Sequence, residues 1–381
     1  MSPLGVSGPA LRLRREAAVR VELVRALGPR HAWQRAVLDR RLGRAGRRHR
    51  TRVYRQIWDR AAQAAGAEVV ELTSELLELR RGTAHTRVRH QTVALDDSLS
   101  IELSLDKPLI HRLLADAALP VPPHAEFHAG EPASARAFLA QADGPCVVKP
   151  AASGGAGWGV STGVRGPADL RRAIARASRY GSRLLIEHQV EGTVYRVLAL
   201  DGEILDVVRR HPPGVVGDGR SDIATLVAGE SRRRLEAEGD AGLSPLHLDL
   251  DALITLELTG LTPRSVPGRG EAVVIKTVTQ QNANEENETV HEPLSHALGA
   301  EIARATDVVG LRVAGVDVIA PGLDRPLRES GGVVLEVNAE PGLHHHYHVA
   351  DPEQATPVAV PLLERALEES PRARSRPPDA R

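Results

Sequence analysis

Residues 311–320, LRVAGVDVIA, and 332–339, GVVLEVNA, decide the fold, because each is a short apolar run of strand composition interrupted by polar residues at chosen positions. Glu336 and Asn338 are two apart, so as strand residues they share one face, and a hairpin between the two runs brings Asp317 alongside them. Two carboxylates and an amide oxygen are hard ligands, suited to Mg2+ held together with phosphate oxygens. Two carboxylates that close also repel, and a cation is the natural compensation. A general acid/base pair is an alternative, although it leaves Asn338 without a role. A pair of surface carboxylates is disfavoured by the apolar residues on either side.

Upstream, PCVVKP (145–150) reads as a short buried strand carrying Lys149. It runs into the glycine-rich loop AASGGAGWG (151–159) and a second strand, VSTGV (160–164). Ser153, Gly154, Gly155 and Gly157 let backbone N–H groups approach an anion that a strand-borne ammonium also reaches. No Gly-Lys-Ser/Thr follows the glycines, so this is not the Walker pattern, and a glycine-rich hairpin turn without ligand remains the alternative. Lysine is scarce: Lys107, Lys149 and Lys276 are the only ones among 49 basic residues. A chain that uses Arg for generic positive charge keeps Lys where a compact ammonium is needed.

Around these strands the pattern alternates. AEVVELTSELLELRRG (67–82) reads as strand, short helix, strand, and a helix near 106–118 starts at Asp106 and stops before Pro120–Pro123. PADLRRAIARASRYG is an amphipathic helix, SRLLIEHQV a strand, and VYRVLALDGEILDVVRR a hairpin turning at Asp201-Gly202. Residues 212–270 are irregular, with helical stretches near 221–237 and 249–259. Then come the strand EAVVIKTVT, the polar loop QQNANEENET and a helix near 293–309. The class is α/β with α+β character.

Length and composition bound the rest. A chain of 381 residues with 42% hydrophobic and 26% charged residues has room for two or three domains. No apolar run approaches the roughly 20 residues of a membrane span, and the first 15 residues lack a signal-peptide core, so the expectation is a cytoplasmic protein without a membrane partner. A single cysteine, Cys146, excludes an internal disulfide and a thiolate metal cluster. Aromatic content of 2% disfavours a stacking surface for nucleic acid. Net charge is zero, yet residues 1–60 hold 16 Arg against four acids, so a basic helical segment precedes an acidic body.

From about 104 to 365 the chain resembles the ATP-grasp ligases, and specifically the ATP-grasp region of cyanophycin synthetases. The pieces that carry the resemblance, in order, include SLDKPLIHRLLADAALPVPP, PCVVKP with its loop, LLIEHQVEGTVYRVLAL, RRHPPGVVGDGRSDIATLV, GLTPRSVPGRGEAVVIKT, VVGLRVAGVDVIA and VVLEVNAEPGLHHH. The resemblance implies an ATP-grasp fold in which two α+β subdomains grip ATP. The segments are then 1–60, basic and helical; 61–105, a small α/β region; 106–369, the ATP-grasp domain with a nucleotide lid at about 120–190; and 370–381, a disordered tail.

It implies ATP and Mg2+ as cofactors, with Mn2+ as a substitute. Lys107, Lys149 and the loop 153–159 would meet phosphates, Glu187 through Val190 the adenine, and Asp317, Glu336 and Asn338 the metal. Arg210 and Lys276 would be catalytic cations near phosphate or the acyl intermediate. Asn282, His344 and His346 are candidate substrate contacts; His344, His345, His346 and His348 also allow loop packing or a transition metal as readings.

The implied reaction is ATP-dependent joining of a carboxylate to an amine through an acyl phosphate, with small amino acids or peptides as partners and a homodimer as a compatible state. Modification of a protein or peptide chain end, and a nucleotide-binding module without catalysis, are the alternatives. Three departures stand out. Val194 occupies the place of a ribose-binding acid, and Gly315 that of an arginine, for which Arg210, Lys276 or Arg312 would have to supply the charge. The Mur-ligase-like half of cyanophycin synthetases has no counterpart in the sequence, so a complete enzyme of that kind is not expected.

Overall fold

The computed structural model of the chain describes residues 46–152, 159–236, 245–279 and 283–370. Most of the basic segment, Ser153, Gly154, Gly155, Gly157, Asn282 and residues 371–381 therefore lie outside the described residues.

The first described helix, α1, covers 46–64. It packs on a four-stranded antiparallel meander of β1 (Glu68–Glu71), β2 (Leu76–Arg81), β3 (Ala84–Arg89) and β4 (Thr92–Val93). The expected short helix between the first two strands is absent. Four residues, 72–75, make a tight turn instead, with the Thr73 hydroxyl accepting from the backbone N–H of Leu76 at 3.1 Å and Glu68–Glu71 pairing with Leu77–Arg80. Too few residues remain there to nucleate a helix. Tyr54, Ile57 and Trp58 of α1, Leu79 and Val88 of the meander, and Leu362 and Leu363 near the C-terminus form one apolar cluster. A boundary at residue 60 thus falls inside a helix, whose apolar residues share one cluster with the meander.

Helix α2 (Ser98–Ser104) leads to α3 (Lys107–Asp116), where the Asp106 carboxylate caps the start by accepting from Leu109 N–H at 3.2 Å and Pro108 occupies the first turn. A second sheet follows, built from β5 (His124–His128), β6 (Cys146–Pro150), β7 (Ser161–Val164) and β8 (Arg183–His188) in the order β5-β8-β6-β7. Helices α4 (Ala133–Gln141) and α5 (Pro167–Ala177) close its apolar face. This unit runs from His124 to His188.

The central sheet is antiparallel. It comprises β9 (Thr193–Leu200) and β10 (Glu203–Arg210), then β13 (Asn287–Thr289), β14 (Val313–Ala320) and β15 (Val333–Ala339), in the order β13-β10-β9-β14-β15. The β9–β10 turn has positive φ at both Asp201 (49°) and Gly202 (81°), as a two-residue hairpin requires. Between β10 and β13 lies an insertion with its own small core: β11 (Gly214–Val216), α6 (Ile223–Glu236), α7 (Leu250–Leu258) and β12 (Ala272–Val274). The strand expected over EAVVIKTVT is thus only three residues long. Lys276 through Thr279 run on as an irregular strap. Helices α3 and α8 (His296–Val309) cover one face of the central sheet. A short α9 (Leu327–Ser330) precedes β15, and α10 (Ala359–Glu368) returns to the N-terminal unit.

Candidate active site

The two sheets face each other across a cleft of about 400 Å3. Lys149 and Glu187 enter it from β6 and β8, Val194 from β9, Arg210 from β10, Asp317 and Ile319 from β14, and Glu336 from β15.

Register makes the floor. Asp317 pairs with Glu336 across β14–β15 and with Arg196 across β9–β14, while Gly315 pairs with Asn338. The Arg196 guanidinium donates twice to the Asp317 carboxylate, at 2.6 and 2.7 Å. The Asn338 amide N–H donates to Asp317 and to the Gly315 carbonyl, both at 3.1 Å. Lys107, at the start of α3, pairs with Glu336, and Lys149 pairs with Glu187 at 2.8 Å. Each carboxylate lining the cleft therefore meets a buried or nearly buried cation. Such pairs offset a large desolvation cost and are weak evidence of stability, so their retention needs another reason.

The electrostatics follow the same geometry. Burial alone would raise the Glu336 pKa, but Lys107, with Lys149 and Arg196 behind it, pulls it down to about 2. Burial disfavours charge on Lys107, and the Glu336 carboxylate more than reverses this. Arg196 behaves alike, with Asp317 overcoming burial. Arg210 is driven the other way, down to about 9, by burial and by repulsion from Arg196. It remains protonated at neutral pH and donates to the Thr279 carbonyl on the strap.

Sequence reasoning missed Arg196. A Cβ added to Gly315 would stand 2.8 Å from Pro341 and 3.1 Å from the Arg196 guanidinium, so Gly315 leaves room for a cation arriving from the neighbouring strand. The available signal was a lone Arg inside the apolar run VYRVLAL. Arg312, considered for that part, instead pairs at the surface with Asp201 (2.7 Å) and Glu369.

Lys276 does not line the cleft. Its ammonium pairs with Asp249 at 2.6 Å, and that carboxylate also caps α7. The next residue, Thr277, does reach the cleft, where its hydroxyl meets that of Thr162 on β7 at 2.8 Å. Val190 lines the cleft, and neighbouring Gln189 accepts from Gly163 N–H at 2.8 Å.

The histidine turn lies on the same face of the central sheet as the floor, over Asp206 of β10, and its side chains are not among the cleft lining. His344 Nδ1 meets the Tyr54 hydroxyl at 3.0 Å, and His346 Nδ1 meets Asp206 at 2.6 Å. Burial holds His344 and His345 well below the usual imidazole range, and His346 below it despite Asp206. Among the described residues no group of three His, Cys, Asp or Glu side chains is placed to hold a metal. His344 and His346 pack against α1 and β10.

Asp317, Glu336 and Asn338 nevertheless fit a hard divalent cation by donor chemistry: two carboxylates and an amide on one face, bordering a cleft lined by lysines. In the structure Lys107 and Arg196 balance the two carboxylates.

No protein-family profile matches the chain. It is 30% identical over 305 residues to the cyanophycin synthetase of Trichormus variabilis, covering 78% of this chain and 33% of that protein. It is 27% identical over 297 residues to the glutathione biosynthesis bifunctional protein GshAB of Mannheimia succiniciproducens, covering 76% and 39%. Among solved structures, the bifunctional glutathione synthetase from Pasteurella multocida superposes with a TM-score of 0.50 at 23% identity, covering 80% of this chain and 42% of that one. The chain spans about a third of the length of the cyanophycin synthetases it matches. Its fold is the ATP-grasp fold, and its similarity to cyanophycin synthetases lies over their ATP-grasp region. Among the described residues no helix is long and apolar enough to cross a membrane.

Proposed function

We propose that the chain is an ATP-dependent carboxylate–amine ligase that forms an amide or peptide bond, with an amino acid or peptide as substrate. The observation that carries this reading is the cleft floor, where Lys107, Lys149, Arg196 and Arg210 surround Glu187, Asp317 and Glu336 between two sheets. The curated relatives that align with most of this chain are amide-forming synthetases, which supports it.

In this reading a substrate carboxylate oxygen attacks the γ-phosphorus of ATP, the bond to the bridging oxygen breaks and ADP leaves. An amine nitrogen then attacks the acyl carbon, phosphate departs and the amine proton passes to solvent. No side-chain nucleophile is needed. Lys149 and Lys107 hold phosphate oxygens, while the backbone of 187–190 faces the base. Arg210 neutralises charge at the transferring group, and Arg196 fixes the Asp317 carboxylate. Asp317, Glu336 and Asn338 would hold Mg2+, which when bound neutralises phosphate charge. Val147, Val190, Ile319 and Leu335 give the cleft apolar walls that limit water, which would otherwise hydrolyse the acyl phosphate. Lys276, anchored by Asp249, acts from outside the lining by fixing the strap that carries Thr277 and Thr279.

The test is release of phosphate from ATP with amino acids and peptides supplied in pairs, the products being identified by mass spectrometry. Release that depends on a pair, with an amide product, is expected. ATP left intact with every acid and amine would contradict the proposal.

A further inference from the structure

The cleft wall changes character along β9 and β14. Arg196 and Asp317 form one cross-strand pair, and two residues along, on the same face, the next is Val194 with Ile319. The step is about 6.6 Å. Both Val194 and Ile319 line the cleft, so the wall at that position is aliphatic. Gly192 is pressed against it: a Cβ there would stand 2.9 Å from Ile319, which leaves no space for a reaching side chain.

The hydroxyls of a sugar need acceptors, and among the described residues the charged ones are committed elsewhere. Glu187, Asp317 and Glu336 are the carboxylates that line the cleft, each paired with Lys149, Arg196 or Lys107. The Gln189 side-chain oxygen accepts from Gly163. Glu191, between two lining residues, is exposed and does not line the cleft. Arg209 and His211 line the cleft, and both engage Glu288, which does not. Thr193 offers a neutral hydroxyl in place of an ionised acceptor.

We propose that the site does not read the 2′-hydroxyl of its nucleotide, so that ribo- and 2′-deoxyribonucleotides are used alike, with Val194 as the residue that sets this tolerance. The inference rests on the ATP-dependent reading above, which fixes which end of the cleft holds phosphate. A hydrogen bond from a hydroxyl to a carboxylate is worth roughly ten- to a hundredfold in binding, whereas one to a neutral group or to water is worth a few-fold.

The experiment is calorimetric titration of the full chain with ADP and with 2′-deoxy-ADP, both with magnesium, repeated on Val194→Glu. Dissociation constants within about threefold of each other are expected for the unsubstituted chain, and a preference of tenfold or more for ADP in the variant. Should the variant fold poorly, the comparison on the unsubstituted chain decides alone. A tenfold preference for ADP in the unsubstituted chain would overturn the inference and leave the ligase reading standing. Failure to bind either nucleotide would remove both.

Discussion

The cleft floor and the histidine turn lie a few residues apart in sequence and are comparably rich in titratable groups, yet they handle charge in opposite ways. On the floor, Glu336 stays ionised because Lys107 reaches it from another element, and Arg196 pairs with the Asp317 carboxylate. In the turn, burial lowers the pKa of His344, His345 and His346, with His344 against Tyr54 and His346 against Asp206. Holding buried charge is expensive, whereas burying a neutral imidazole with one good partner is ordinary packing. Density of titratable side chains is similar in the two regions, and what separates them is charge held against desolvation at the edge of a cavity.

The comparison breaks most readily at Glu336. Glu336→Gln keeps the shape but removes a carboxylate and leaves Lys107 without its partner, so amino-acid-dependent phosphate release is expected to fall at least about a thousandfold while the circular dichroism spectrum stays native. Near-normal turnover would show that the floor is no metal site. Next is Arg196→Met, which strands a buried Asp317 carboxylate. A stability loss of about 3–5 kcal/mol is expected in urea unfolding, together with loss of turnover.

The third prediction separates the regions by pH. Glu336 has a folded pKa of about 2, below its unfolded value, so its contribution is complete above about pH 4.5 and is lost only as pH falls toward 2. The three histidines also have lowered folded values, but from an unfolded value near 6.5, so their contribution is present above that pH and is lost as pH falls below it. Stability should therefore decline between pH 7 and 5 by up to about 1.4 kcal/mol per pH unit for each histidine. Urea midpoints across that range check this, and His345→Asn should flatten the slope. The smallest effect is Tyr54→Phe, which removes one hydrogen bond to His344 outside the cleft lining: about 1 kcal/mol of stability with turnover within a few-fold, measured by unfolding and phosphate release.

Much of this was legible in the sequence where the signal is local. Alternation in VAGVDVIA and VVLEVNA placed Asp317, Glu336 and Asn338 on one face, and the register aligns them. Asp106, Asp201-Gly202 and the apolar run around Lys149 likewise signal their own structure. What was not legible depends on neighbours distant in sequence. Arg196 matters because β9 lies beside β14, an adjacency that no spacing reveals. Lys276 is aimed by Asp249 across the insertion, and the histidine turn is buried by a helix nearly 300 residues earlier. The meander of β3 and β4 escaped notice because Ala84–Arg89, AHTRVR, is polar on its outer face and short. In each case tertiary packing decided what the local pattern left open.

The account turns on whether the floor is a magnesium-dependent nucleotide site. Calorimetric titration of the unsubstituted chain with ADP, with and without magnesium, and of Asp317→Asn under the same conditions, addresses that directly. Binding that magnesium strengthens at least tenfold, and that loses this dependence in Asp317→Asn, is the predicted result. ADP binding of equal strength in all four titrations would contradict the account.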